Sequence, residues 1–350
     1  MSSTLARQRN QVKGALFEVI VNKLLRKAGY VRIKPDDVHV RRKDGHVRGR
    51  GTWHDIDALG KFEYPLFYMY PIRLLAEAKC YEDDVQLWAV RNFVGALKDI
   101  SENYFVDDKL NREQMLAYQR YTDCGSFFSA SGFTISAQKF ALAQGVFLIS
   151  YENNPILEKI IDTMKIVINH LDAPAASKNK KDFIRWISEN LDLNPQSAYR
   201  SVFVPQQTHD DFVRTFNQLN NDLNSIQTSA IAMVVGEDPA AQYPVHMLSY
   251  QKIPEKVFAG TDDHTFKVHF AETVRGLSFD VVPTEAEKVS LLFSLPKHIY
   301  ARYFAEGKML DFKMKFLRHI ELPTTIQGIR RILRLNLDRD WVRRQQQVTS

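Results

Sequence analysis

The sequence predicts an α/β protein in its first half and an α+β arrangement in its second. Two segments, 52–59 and 73–81, alternate polar and apolar residues, the mark of strands with one face toward a core. A third stretch, 125–150, holds a short apolar run, an alanine-rich helical run and a second apolar run; such a strand–helix–strand unit predicts parallel strands joined by a right-handed crossover. Residues 12–28 show helical periodicity, with Leu16, Val19, Ile20 and Leu24 at three- and four-residue spacing. At 350 residues the chain is long enough for two domains.

Residues 1–10 are polar and expected to fray. The helix over 12–28 stops at Gly29, as helices commonly do at glycine. Residues 31–50 form a basic connection, with a hairpin-like turn at Lys43-Asp44-Gly45-His46. The strand over 52–59 carries Asp55 and Asp57. Residues 60–71 follow as an aromatic loop or hairpin with Phe62, Tyr64, Phe67, Tyr68 and Tyr70, and then comes the strand over 73–81. A helix is expected over 87–100, with Trp88, Val90, Phe93, Val94 and Leu97 on its apolar face. In the strand–helix–strand unit, Thr134 or Ser136 caps the helix. Residues 154–171 form another helix, and 172–178, small and proline-containing, read as a linker. Beyond it, helices are expected over 181–190, 209–223 and 296–304. Strands are expected over 229–235, 245–250, 265–270, 277–282, 289–294 and 331–337, while 311–317 fits either type. The expected organisation is 1–152, a connecting helix and linker at 153–178, and 179–350.

Composition narrows the function classes. The net charge of +6 is concentrated before residue 50 and after residue 330, which suits a polyanionic partner and equally an ordinary solvated surface. The two cysteines, Cys80 and Cys124, exclude a disulfide framework or zinc finger and point to a reducing compartment. The N-terminus has no apolar signal core, and the apolar run 64–76 is too short to cross a membrane, so a cytoplasmic protein is expected. Gly236-Glu237-Asp238-Pro239 lacks the lysine of a phosphate loop, and no Gly-x-Ser-x-Gly elbow occurs. His246, His264 and His269 have no accompanying ligands and read as ordinary histidines.

One constellation carries chemistry. On a strand, Glu77 and Lys79 project from one face, and so do Asp55 and Asp57 on theirs. If the two strands pair, carboxylates and an ammonium group converge. Paired carboxylates hold a hard divalent cation that keeps several waters; such a cation activates water and stabilises charge on a phosphate oxygen. A lysine beside it orients the attacking water or neutralises the transition state. The same Glu-x-Lys tripeptide also occurs as a plain ion pair on solvated strands.

The order of these elements, with Glu18 on the first helix, resembles the PD-(D/E)XK nuclease superfamily and within it the Mrr-like restriction endonucleases. The phrases that carry the resemblance are the helix 14–30 ending in Gly29-Tyr30, His54-Asp55-Ile56-Asp57, Glu77-Ala78-Lys79, and the ending over 125–150. They fall within residues 12–152. The first motif lacks a proline before its aspartate, and the insert between Asp57 and Glu77 is longer than a tight hairpin needs, which leaves the strand pairing open. The resemblance implies a restriction-endonuclease-like mixed sheet flanked by helices. It implies Asp57 and Glu77 as ligands of Mg2+, for which Mn2+ can substitute, Lys79 as the assistant to the attacking water, and Glu18 as a helix carboxylate. Asp55 is the rival of Asp57, and His54 flanks both.

The function expected on this basis is metal-dependent endonucleolytic hydrolysis of DNA, in restriction or anti-phage defence. The part over 179–350, of unrecognised type, would select the target or receive a protein partner or signal. Cutting both strands needs two sites, so a homodimer is expected. The rivals are an RNA- or branched-DNA-cleaving nuclease and an inactive nucleic-acid-binding or scaffold protein.

Overall fold

The computed structural model describes residues 3–31, 33, 46–62, 69–103, 111–113, 120–192, 201–237, 242–253, 255, 263–273, 276–283, 291–294, 317–340 and 343–344. The centre of the expected turn at 43–45, the aromatic residues at 64, 67 and 68, the helix expected over 296–304 and the segment 311–316 lie outside them.

The first helix, α1 (Ser3–Lys27), begins well before the expected start. Its first turns are largely exposed apart from Leu5, which packs against the core, and an unbroken run of helix-compatible residues extends the helix to Ser3. From Val12 onward it is buried, with Leu16, Phe17, Ile20, Val21 and Leu24 out of water at about 1.5–3 kcal/mol each. Short strands follow: β1 (Tyr30–Val31), β2 (Val47–Arg48) and β3 (Trp53–His54). The strand expected over 52–59 is therefore split. β3 pairs with β2, the chain bends at 55–57, and a separate strand β4 (Ala58–Phe62) begins immediately after Asp57.

Next come β5 (Ile72–Lys79), α2 (Leu87–Ser101), β6 (Thr122–Ser129), α3 (Ile135–Ala143) and β7 (Phe147–Ser150). Thr134 caps α3 by accepting from the Ala137 amide. Among the described residues, five strands make a sheet in the order β1-β4-β5-β6-β7. The first pairings are antiparallel, while β5 with β6 and β6 with β7 are parallel; the β6–β7 pairing is the one that the strand–helix–strand reading expects. Alternation along β5 sorts its side chains. Leu74, Ala76 and Ala78 enter the core beneath α1, and Leu75 enters the opposite core under α2 and α3. The result is an α/β unit, a mixed sheet flanked by helices.

After β7 the chain forms α4 (Pro155–Asn169), α5 (Ala173–Lys178), α6 (Lys180–Asp192) and α7 (His209–Ser225). The expected linker at 172–178 is thus mostly helix. Asp172 caps it by accepting from the Ala175 amide at 2.9 Å, and Pro174 sits in the first turn, where it is tolerated. Ala173 and Ala176 are buried in the core cluster that also contains the apolar face of α1. Strands β8 (Thr228–Val235), β9 (Gln242–Ser249), β10 (Asp263–Thr273), β11 (Gly276–Pro283), β12 (Leu291–Ser294), β13 (His319–Ile326) and β14 (Ile329–Leu337) then form a closed barrel. Its pairings are antiparallel except β10 with β14.

The two halves share one core, which runs from α1 through α4–α7 to Leu248 on β9. A buried polar chain reinforces the joint. The Ser229 hydroxyl donates to the Leu24 carbonyl at 3.0 Å and accepts from His246 Nε2 at 2.8 Å, while His246 Nδ1 accepts from the Tyr151 hydroxyl at 2.7 Å. His246 is therefore a satisfied core histidine, as its lack of sequence partners suggested. Among the described residues no helix is long and apolar enough to cross a membrane.

Candidate active site

The pairing of β4 with β5 places Ala58 opposite Ala76, so the next residues outward, Asp57 and Glu77, face each other across the ladder. The site thus forms where β4 begins and β5 ends. The Asp57 side chain is held from the β5 side: Oδ2 accepts from the Ala78 amide at 3.0 Å and from Lys79 Nζ at 3.0 Å. From the α1 side, Asn22 donates to the Asp57 carbonyl at 2.8 Å. The Lys79 ammonium also pairs with Glu77 Oε1. One ammonium group therefore joins the two carboxylates.

Glu18 reaches this region from α1. Its residue is 7% exposed, and Oε1 accepts from Lys180 Nζ at 2.7 Å. Burial and then the Asp57 charge push the Glu18 carboxyl up to about 7, against the pull of Lys180. Burial and Asp57 raise the Glu77 carboxyl too, with Lys79 opposing. For Lys79, burial works to release the proton, but Asp57 and Glu77 together outweigh it and hold the ammonium well above the ordinary lysine range. Lys180 is raised in the same way, chiefly by Glu18 against its own burial. The cluster is three carboxylates and two ammonium groups, each carboxylate touching a cation.

All four residues singled out by the sequence, Glu18, Asp57, Glu77 and Lys79, thus gather in one region. The rival Asp55 is exposed, and its charge acts on Lys180. His54 turns elsewhere: its Nε2 lies 2.7 Å from Asp99 Oδ2 on α2, and Asp99 also accepts from the Gly51 amide. With Arg50 on Glu102, this pair fastens the β2–β3 hairpin to α2. Several cations of the basic first half are likewise used within the fold. Lys27 donates to the Leu223 and Ile226 carbonyls at the end of α7, and Lys23 donates to Leu191 and Asn220.

Lys180 is the residue that reading by motif misses, because it lies outside the segment that carries the resemblance. A weak signal was present. A lysine at the first position of a helix opposes the helix dipole and so needs a partner elsewhere.

Among the described residues, no set of three or more His, Cys, Asp or Glu side chains is placed to hold a metal. Asp57 and Glu77 remain as a pair of hard oxygen donors turned toward one cation. Such a pair suits Mg2+ or Mn2+, which take few protein ligands and retain water, better than a metal preferring sulfur or imidazole.

No family model matches the sequence, and no curated protein matches it. A solved structure, that of a protein of unknown function named AF1548, is similar at 12% identity with a TM-score of 0.34, covering 59% of this chain and 98% of that one.

Proposed function

We propose that the chain is a Mg2+-dependent endonuclease that hydrolyses phosphodiester bonds in DNA. In this reading residues 1–152 are a PD-(D/E)XK nuclease domain of the Mrr-like type with a restriction-endonuclease-like sheet. The observation that carries the reading is the meeting of Asp57 and Glu77 on the single ammonium of Lys79, at the point where an antiparallel strand joins a parallel one.

Asp57 and Glu77 would hold Mg2+, or Mn2+ in its place; the bound ion supplies an activated water and charge neutralisation at phosphate. The chain's own residues do the rest. Lys79, kept protonated by its two neighbours, is a donor and a positive charge and not a base. It orients the attacking oxygen and stabilises negative charge developing on the phosphate. The Ala78 amide and Asn22 fix Asp57 so that the carboxylate needs little reorganisation. Residues 179–350 would select the target, partner or signal, and a homodimer would present two sites to two strands. A cytoplasmic role in restriction or anti-phage defence goes with this reading.

The test is incubation of purified protein with modified and unmodified plasmid, in Mg2+ or in chelator, beside Lys79→Ala and Glu77→Ala. Nicking that requires Mg2+ and is lost in both variants is the expected result. Parallel single-stranded DNA and RNA substrates decide the polymer. Cleavage that persists in chelator or in Glu77→Ala would remove the chemical basis of the reading.

A further inference from the structure

The two ammonium groups of the site differ in what they have left to bind. Lys79 pairs with both Asp57 and Glu77, and its side chain is 24% exposed. Lys180 pairs, among the described residues, with Glu18 alone, and its side chain is 43% exposed. An ammonium has three donors, so Lys180 is anchored from below by a buried carboxylate and keeps hydrogen-bonding capacity on its water side. Burial works against its charge, but Glu18, then Asp57 and Asp55, outweigh burial and hold Lys180 above its ordinary value. It is a cation throughout the neutral range.

The backbone around Lys180 is fixed. Immediately before it, α5 buries Ala173 and Ala176 in the core shared with α1, and Ser177 donates to Gln11 of α1. Immediately after it, α6 buries Phe183 and Ile187 in that core. The corner between the two helices carries Lys178, Lys180 and Lys181, three lysines in four positions, and Lys178 and Lys181 are exposed. The nearest acid in the sequence, Asp182, pairs with Arg185 at 3.3 Å and so is directed along its own helix. Within the site, by contrast, carboxylates outnumber ammonium groups three to two. A polyanion approaching such a site is repelled unless cations line the approach, and this corner supplies them beside Glu18.

We propose that the α5–α6 corner is the phosphate-backbone contact of the site: Lys180, anchored on Glu18, and Lys178 beside it hold phosphates of a DNA strand next to the one that meets Asp57 and Glu77. That the polyanion is DNA rests on the proposed nuclease reading. The corner lies outside residues 1–152, so the rest of the chain shares in holding the substrate.

The test is the salt dependence of binding. A labelled DNA duplex is titrated with the full-length protein over a range of KCl concentrations, with Ca2+ in place of Mg2+, and followed by fluorescence anisotropy. Lys178→Met and Lys180→Met should each lower the slope of log affinity against log salt by about 0.9, and both together by about 1.8, one counterion release lost per phosphate contact. Lys180→Arg should keep the wild-type slope. So should Lys139→Met, which replaces an exposed lysine of α3, the helix packed on the opposite core of the sheet. Should Lys180→Met fail to fold, Lys178→Met and Lys180→Met combined with Glu18→Gln are read by the same slopes. A wild-type slope in the Lys178 and Lys180 variants, or an equal loss in Lys139→Met, would overturn the role of the corner while leaving Mg2+-dependent nicking as evidence for the nuclease. A lowered slope in a protein that never nicks plasmid would keep the corner and remove the nuclease. No binding by wild type at low salt would overturn the corner and DNA as the substrate together.

Discussion

Lys79 Nζ lies 3.0 Å from Asp57 Oδ2, the same oxygen that accepts the Ala78 amide. The aspartate is thus held by one charged and one backbone donor from a single strand, and its carboxylate is delivered to β5 already oriented. The arrangement is costly to the fold, because Glu77 faces the same spot, and several consequences can be measured.

Glu77→Gln should raise thermal stability while removing cleavage. Burial and the Asp57 charge both work against an ionised Glu77. A neutral amide of the same shape removes that penalty, and Lys79 keeps Asp57 as a partner. A rise in Tm of a few degrees, about 1–2 kcal/mol at this chain length, is expected by calorimetry at neutral pH. Mg2+-dependent nicking should fall by about a hundredfold or more, the scale seen when an electrostatic catalytic group is lost. An unchanged or lower Tm would show that the carboxylate stabilises the fold.

His246 should make stability fall with acid. Burial between Tyr151 and Ser229 pushes its pKa from the ordinary 6.5 down to about 3. The folded chain keeps the ring neutral, whereas the unfolded chain takes up a proton below about 6.5. Stability is therefore lost as pH falls from about 6.5 toward 3, with about 2 kcal/mol gone from this group at pH 5. His246→Phe should start lower by about 1–3 kcal/mol, since it leaves the Tyr151 hydroxyl without its acceptor. It should also lose less between pH 7.5 and pH 5. Parallel urea-unfolding curves for the two proteins would count against the assignment.

Arg73 and Asp123 should behave as a buried pair that can be removed only as a pair. Their side chains are each 1% exposed, Arg73 Nε meets Asp123 Oδ1 at 2.6 Å, and the guanidinium lies over the Tyr121 ring. Asp123→Asn strands a buried charge and should cost about 3–5 kcal/mol. Arg73→Met with Asp123→Leu should recover most of that loss in denaturant titrations. A double variant no better than the single would show that the pair has a structural role that apolar packing cannot replace.

Gly125→Ala should loosen the packing of α2 on the sheet. An added Cβ would come within 2.4 Å of Leu97 Cδ2 and 3.2 Å of Phe93 Cε1. Both side chains belong to the core beneath α2, so one must leave its rotamer, at a cost of about 1–3 kcal/mol. Restoring room with Leu97→Ala in the same chain should raise Tm relative to Gly125→Ala alone. A single variant as stable as wild type would mean that α2 can shift freely.

Local pattern made a large part of this protein legible. Alternation at 73–81 correctly put Glu77 and Lys79 on one face, because a strand's period of two is set by each residue's own backbone geometry. The cap at Thr134 follows from a side chain bonding the amide three residues on. Pattern misled where apolar alternation ran on through a bend. Residues 52–59 look like one strand, yet the chain turns at 55–57 to move from the β2–β3 hairpin into the main sheet. Composition misled at 172–178, where a cap and two buried alanines outweigh the linker-like sequence.

By itself, then, the sequence determined which residues could do chemistry and which faces of their strands or helix they would occupy, since propensity, periodicity and capping are properties of neighbours along the chain. Only the tertiary structure decided that Asp57 and not Asp55 meets Lys79, that His54 is bound to Asp99, and that Lys180 answers the charge of Glu18. Those choices depend on strand register and on a shared core that joins residues far apart in the chain, and no local pattern encodes which distant charge will be packed against a buried carboxylate.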